Sequence, residues 1–281
     1  MATVYEIITE QVLQKLENGV IPWHRPWTGT GYPKNLISKK EYRGINVFLL
    51  SCQGYANPFW LSFKQVKELK GSVRKGEKST MVVFWKRINI EKKDDEITEK
   101  TIPFLRYYRV FNALQCDGLE EKIPAIESNR DFQPIDACEK TIEGMQNKPD
   151  IYYREDRAYY SPTEDYVNMP KKESFDKPEF FYSVLFHELG HSTGHEKRCA
   201  RKAFHEWAPF GSESYSKEEL VAEMTAAFLC GIHKIEQQTI DNSTAYIKAW
   251  LCKLKDDPKM VVLAAAQAQK ASDYILNKYI K

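Results

Sequence analysis

Several absences narrow what this 281-residue chain can be. It has no apolar run long enough to span a bilayer, so no membrane partner is expected. Its start, Met1-Ala2-Thr3-Val4-Tyr5-Glu6, lacks a basic stretch leading into an apolar one, so no secretory signal is expected. Cysteines are few and scattered, at 52, 116, 138, 199, 230 and 252, with no C-x-x-C spacing. That argues against a zinc finger and against a disulfide framework, and it suits the reducing cytoplasm. No internal repeat and no low-complexity segment interrupts the chain.

The length suits two domains better than one small core. Net charge is only +2, but it is unevenly spread. Residues 1–90 carry 14 Lys and Arg against 6 Asp and Glu, whereas residues 126–281 carry 21 against 25. A basic front and a mildly acidic back point to two parts with different partners.

Helical periodicity predicts a first helix over 4–18, ended by Gly19, and further helices over 44–51 and 62–69. Residues 80–88 and 102–112, rich in Val, Phe, Tyr and Ile, read as a hairpin whose charged turn begins at Glu91. Residues 117–134, with Gly118, Pro124 and Pro134, read as a linker. We therefore expect an α+β protein with domains at 1–125 and 126–281. In the second domain a helix over 136–146 precedes short strands near 151–153, 157–160 and 166–169. Further helices near 243–254 and 258–278 close the chain.

Residues 187–191 read His-Glu-Leu-Gly-His, the pattern H-E-x-x-H, behind an apolar run from Phe180 to Phe186. On a helix, residues four apart share a side, so His187 and His191 can aim two imidazoles at one ion. Glu188, beside the first ligand, can hold and deprotonate a water on that ion. The pattern also arises by chance, but unpaired imidazoles beside a buried apolar helix are costly. His195 is too far along a straight helix to reach the same ion, about 12 Å from His187 at about 1.5 Å per residue. The metzincin pattern fails as well, because its last position is Lys197.

A catalytic zinc usually takes three protein ligands. Downstream, Glu219 and Glu223 share one face of a second predicted helix. The gluzincin arrangement places the ligand first and an acid that orients a ligand histidine four residues later. By that analogy Glu219 is the ligand and Glu223 the orienting carboxylate. Ser216 to Glu219 is also a capping box; if Glu219 only caps, Glu223 becomes the ligand. Glu218 is expected to face solvent.

In the front half, cations alternate with aromatic rings. Trp23, Arg25, Trp27, Lys34, Arg43, Lys64, Arg74, Lys75 and Lys78 are the candidate nucleic-acid contacts. Cations neutralise phosphates and ring faces stack on unpaired bases, a combination suited to single strands. The same mixture also fits core aromatics beneath a solvated charged face, and composition does not separate the two.

Both halves together resemble ArdC-type antirestriction proteins of conjugative plasmids. In front, the likeness rests on Leu16-Glu17-Asn18-Gly19-Val20-Ile21-Pro22-Trp23, Tyr42-Arg43-Gly44-Ile45-Asn46-Val47, Val73-Arg74-Lys75-Gly76-Glu77-Lys78 and Tyr108-Arg109-Val110-Phe111-Asn112. Behind, it rests on Tyr159-Tyr160-Ser161-Pro162, on His187 to His195, on Phe210-Gly211-Ser212-Glu213-Ser214-Tyr215 and on Glu218-Glu219-Leu220-Val221-Ala222-Glu223. Ser192 stands where that family's pattern has Trp. The resemblance implies a domain that binds DNA, mainly single-stranded but also double-stranded, ahead of a zincin-like metallopeptidase domain. It implies protection of incoming plasmid DNA from restriction, and a bound divalent ion, zinc or alternatively Mn2+. It does not identify a protein or peptide substrate. Two rivals stay open: a DNA-coating protein whose metal is structural, and a metal-dependent nuclease.

Overall fold

A computed structural model describes residues 2–23, 32–90, 100–124, 134–201, 213–235 and 244–278. The expected domain boundary at 125/126 and the charged turn from Glu91 lie outside the described residues.

Helix α1 (Val4–Glu17) starts at a capping box in which Thr3 and Glu6 satisfy each other's main-chain N–H groups. Helices α2 (Ile45–Ser51) and α3 (Phe63–Glu68) follow as expected. Strands β1 (Lys34–Asn35), β2 (Phe59–Ser62), β4 (Thr80–Ile90) and β5 (Lys100–Asn112) form one sheet in the order β1-β2-β5-β4. Its hairpin runs in register from Thr80 opposite Val110 to Ile90 opposite Lys100. Strand β2 was not anticipated. Phe59, Trp60 and Leu61 are buried on both faces of the sheet, so no polar alternation marks them. The expected linker begins as folded structure: β6 (Cys116–Asp117) pairs with β3 (Ser72–Val73), and Leu119 is fully buried.

Behind these, α4 (Pro134–Gly144) precedes a three-stranded sheet in the order β7-β9-β8, made of Asp150–Tyr152, Tyr166–Asn168 and Tyr159–Ser161. Strand β8 pairs only with β9 among the described strands and forms one edge. Among the described residues four helices follow: α5 (Pro178–Ser192), α6 (Glu213–His233), α7 (Thr244–Asp256) and α8 (Met260–Ile275). The α+β organisation is the one expected. No helix among the described residues is long and apolar enough to cross a membrane.

Helix α6 is buried around its circumference, as a helix between two cores must be. On one side Ala226, Leu229 and Cys230 join Phe181, Phe186 and Leu189 of α5. On the other, Leu220, Met224 and Phe228 meet Ile8, Val12 and Leu16 of α1, Phe48 of α2, and Met81 and Val83 of β4. The two halves of the chain thus share one core. Phe48 stacks on Phe228 with centroids 4.8 Å apart, and the Tyr32 hydroxyl donates to the Phe228 carbonyl at 2.7 Å. Arg43 pairs with Asp273 of α8, and the Gly44 amide donates to Gln269 at 3.0 Å.

Candidate metal centre

Helix α5 opens on Pro178 and buries Phe181, Leu185, Phe186 and Leu189, so its rotation about its own axis is set by packing. That rotation points His187 and His191 at α6. Close approach of the helices depends on Gly190, between the two histidines. A methyl group there would lie 3.2 Å from both Ala222 Cα and Thr225 Cβ. Gly190→Ala should therefore push α5 from α6 and cost about 1–3 kcal/mol through overpacking. A thermal melt at the parental temperature would show that the helices are not in such contact.

Three ligand-type groups converge where α5 faces α6. The Nε2 atoms of His187 and His191 lie 3.1 Å apart. Glu219 reaches both, with Oε1 3.3 Å from His191 Nε2 and Oε2 3.6 Å from His187 Nε2. One donor atom from each of the three lies within 4.8 Å of the other two. A tetrahedral ion with bonds of about 2.0–2.1 Å spaces its ligand atoms by about 3.3 Å. The two imidazole nitrogens, 3.1 Å apart, lie near that spacing, and each carboxylate oxygen of Glu219 lies within 3.6 Å of one of them. Two imidazole nitrogens and a carboxylate converging on one point are the donor types a divalent cation takes, so the donor set fits such an ion. Glu219 is the more open member, with 26 % of its side chain exposed, while the histidine side chains are 10 % and 15 % exposed.

The electrostatics agree. Burial, reinforced by charge on His191, pushes His187 down to about 4. Burial opposes charge on His191 too, yet Glu218 and Glu219 raise it to about 10. Burial lifts Glu188 to about 7, against the charge of His191 and a main-chain hydrogen bond from Tyr160 on β8. The edge strand of the small sheet therefore runs beside the centre.

Two expectations about the surrounding acids need correction. Glu218, expected in solvent, is buried, with Oε1 3.7 Å from His191 Nδ1. Glu223, expected to orient a histidine, instead accepts the Trp23 indole N–H at 2.7 Å. His187 Nδ1 is buried without a hydrogen-bond partner, so Glu223 does not serve it. Both corrections come from the roll of α6 against α5, which puts Glu218 rather than Glu223 behind an imidazole. Arg201, which holds Glu218, was missed. In sequence it is one of several basic residues between Lys197 and Lys202, ten residues beyond His191, and nothing local ties it to α6. His195 stands beside Asp165, with Nδ1 4.0 Å from its carboxylate, apart from the triad.

The candidate nucleic-acid contacts scatter. Trp23 is corrected: it is fully buried, edge-on to Trp250 at 5.7 Å, and cannot stack on a base there. Its burial follows from the shared core, which needs an indole whose N–H meets Glu223. Arg25 and Trp27 lie outside the described residues. Lys34 pairs with Glu41 at 3.4 Å, and Arg43 with Asp273. Arg74 is engaged by Glu77 and Asp117. Lys64, Lys75 and Lys78 are exposed. Exposed rings also stand on the β4–β5 hairpin. Phe84 and Tyr108 lie edge-to-face at 5.9 Å on the face that also carries Arg106, the exposed register partner of Phe84.

Comparison with known proteins agrees with this layout. A family model described as the N-terminal domain of the anti-restriction factor ArdC matches residues 2–111, and one described as a zincin-like metallopeptidase matches residues 138–267. The crystal structure of metal-free antirestriction ArdC from plasmid R388 superposes with a TM-score of 0.79 at 35 % identity, covering all of both chains. The Mn(II)-bound structure of that protein gives 0.77 at 36 % identity over 98 % of each. Protein y4eC of Sinorhizobium fredii is 32 % identical, over 97 % of this chain and 91 % of its own. A DNA primase TraC of Escherichia coli is 33 % identical over 97 % of this chain, which spans only 27 % of that primase. Two domain matches in order, and whole-length likeness in sequence and fold, show that the chain belongs to the ArdC antirestriction family.

Proposed function

We propose that this chain is a cytoplasmic antirestriction protein that binds single-stranded DNA and carries a divalent-metal peptidase centre, zinc being the first choice of ion. The observation that carries the metal reading is the convergence of His187, His191 and Glu219 beside Glu188. A divalent ion held there would supply Lewis acidity toward a peptide carbonyl. Glu188 takes the proton of the attacking water and passes it to the leaving amine. The edge strand β8 beside Glu188 suits an extended peptide laid antiparallel to it. Two histidines and one carboxylate suit this chemistry better than the carboxylate-rich pairs of metal ions in many nucleases.

Glu188→Ala is the test. Expected are unchanged metal uptake, unchanged oligonucleotide binding, and loss of both peptide hydrolysis and protection of incoming DNA in cells. Protection that persists in the variant would favour a second reading, DNA coating without hydrolysis. That reading draws support from the exposed Phe84 and Tyr108, which belong to the other half of the chain.

DNA binding is proposed to use those rings with Arg106 and the exposed Lys64, Lys75 and Lys78. Stacking is worth about 1–3 kcal/mol per base. The pair Phe84→Ala and Tyr108→Ala should thus weaken a labelled single-stranded oligonucleotide by roughly tenfold or more in fluorescence anisotropy. The salt dependence should survive, because it comes from cations. An unchanged affinity would move the stacking surface elsewhere.

A further inference from the structure

Beyond the last turn of α5 the chain folds back on itself. The amides of Ala200 and Arg201 donate to the carbonyls of His195 and Gly194, and Ala200 adopts φ +47, a left-handed conformation costly for a residue with a Cβ. This return delivers the Arg201 side chain, only 5 % exposed, into the angle between α5 and α6. Its guanidinium faces both helices. Nη2 donates to the carbonyls of Gly190 at 2.9 Å and His191 at 3.4 Å, and Nη1 to Thr193 Oγ1 at 2.5 Å. From the same plane, Nε donates to Glu218 Oε2 at 3.0 Å and Nη2 to Oε1. Glu218 in turn lies 3.7 Å from His191 Nδ1.

A buried ion pair contributes little to stability, because desolvating both charges offsets their attraction. This pair also sits on a strained backbone. What it does is geometric. A carboxylate behind Nδ1 keeps the proton on that nitrogen, which leaves the Nε2 lone pair aimed at Glu219 and His187. The planar fork of Arg201 holds that carboxylate while fastening the end of the helix that bears both histidines. His187, with no hydrogen-bond partner on Nδ1 among the described residues, has no equivalent support.

We propose that Arg201 and Glu218 form a brace that positions His191 as a metal ligand and holds α5 against α6 at the spacing the ion needs. Both are positioning residues, acting through His191. The inference rests on the reading of His187, His191 and Glu219 as ligands.

The test is zinc affinity of the full chain, measured by competition with a chelating indicator, for the parent, Arg201→Met, Arg201→Lys and Glu218→Gln. Circular dichroism and melting report whether each variant folds. Loss of an outer partner typically costs 10–100-fold in metal affinity, and that loss is expected for Arg201→Met and Glu218→Gln. Arg201→Lys should not rescue it, since a single ammonium cannot span Glu218 and the Gly190 carbonyl together. Folded variants whose zinc affinity stays within about twofold of the parent would overturn the brace, set against the 10–100-fold expectation, while leaving the proposed function standing. A parent that takes up no zinc would overturn both. Should every variant fail to fold, the zinc-loaded parent decides. A downfield, slowly exchanging Nδ1–H resonance from His191 supports the brace, and a solvent-exchanging one overturns it.

Discussion

Glu219→Ala is expected to abolish tight zinc uptake, while Glu223→Ala leaves it little changed and lowers the melting temperature instead. Glu219 supplies oxygens 3.3 and 3.6 Å from the two histidine Nε2 atoms. Its removal leaves two imidazoles and no anionic donor, a loss larger than the roughly 10–100-fold that follows removal of an outer partner. Glu223 touches the N-terminal half instead, and its loss leaves the buried Trp23 indole N–H without its acceptor. An unsatisfied buried donor costs about 1–3 kcal/mol. The pair of variants separates the two carboxylates cleanly. If Glu223→Ala loses zinc and Glu219→Ala keeps it, Glu223 rather than Glu219 faces the two histidines.

Residues 126–281 expressed alone should not fold, although they carry every residue of the proposed metal centre. Leu220, Met224, Phe228, Trp250 and Val261 are buried in a core whose other side is supplied by α1, α2 and β4. Each such side chain gains about 1.5–3 kcal/mol on burial. Exposing five of them costs on the order of 10 kcal/mol, comparable with the whole stability of a typical domain, about 5–15 kcal/mol. Circular dichroism and one-dimensional proton NMR of the fragment should show a collapsed or unfolded chain with weak zinc uptake. Cooperative melting together with full zinc affinity in the fragment would instead establish an autonomous metal domain.

The same geometry ties the N-terminal half of the chain to the helix that bears Glu219. Trp23 and Tyr32, on the N-terminal half, both bond to the helix that carries Glu219. The sequence alone offers no sign of this, because the bonded residues are about two hundred positions apart.

What the amino-acid sequence determined by itself was whatever depends on short spacing. The i, i+4 period placed His187 and His191 on one side of a helix, with Glu188 beside them. Apolar periodicity and turn residues located α1, the β4–β5 hairpin and helices α5 to α8 to within a few residues. Glu219 was reachable by analogy, but its convergence on the histidines was not, since that needs the distance and roll of one helix against another. Packing sets these, through Gly190 on one side and the two apolar faces of α6 on the other. That roll also decided that Glu218 backs His191 and that Glu223 is met by Trp23. Burial of Trp23 likewise had no local signature: a tryptophan among Pro and Arg reads as a surface residue until a carboxylate from far along the chain closes over its N–H. Periodicity is a property of a segment, whereas an azimuth between segments exists only once both are packed.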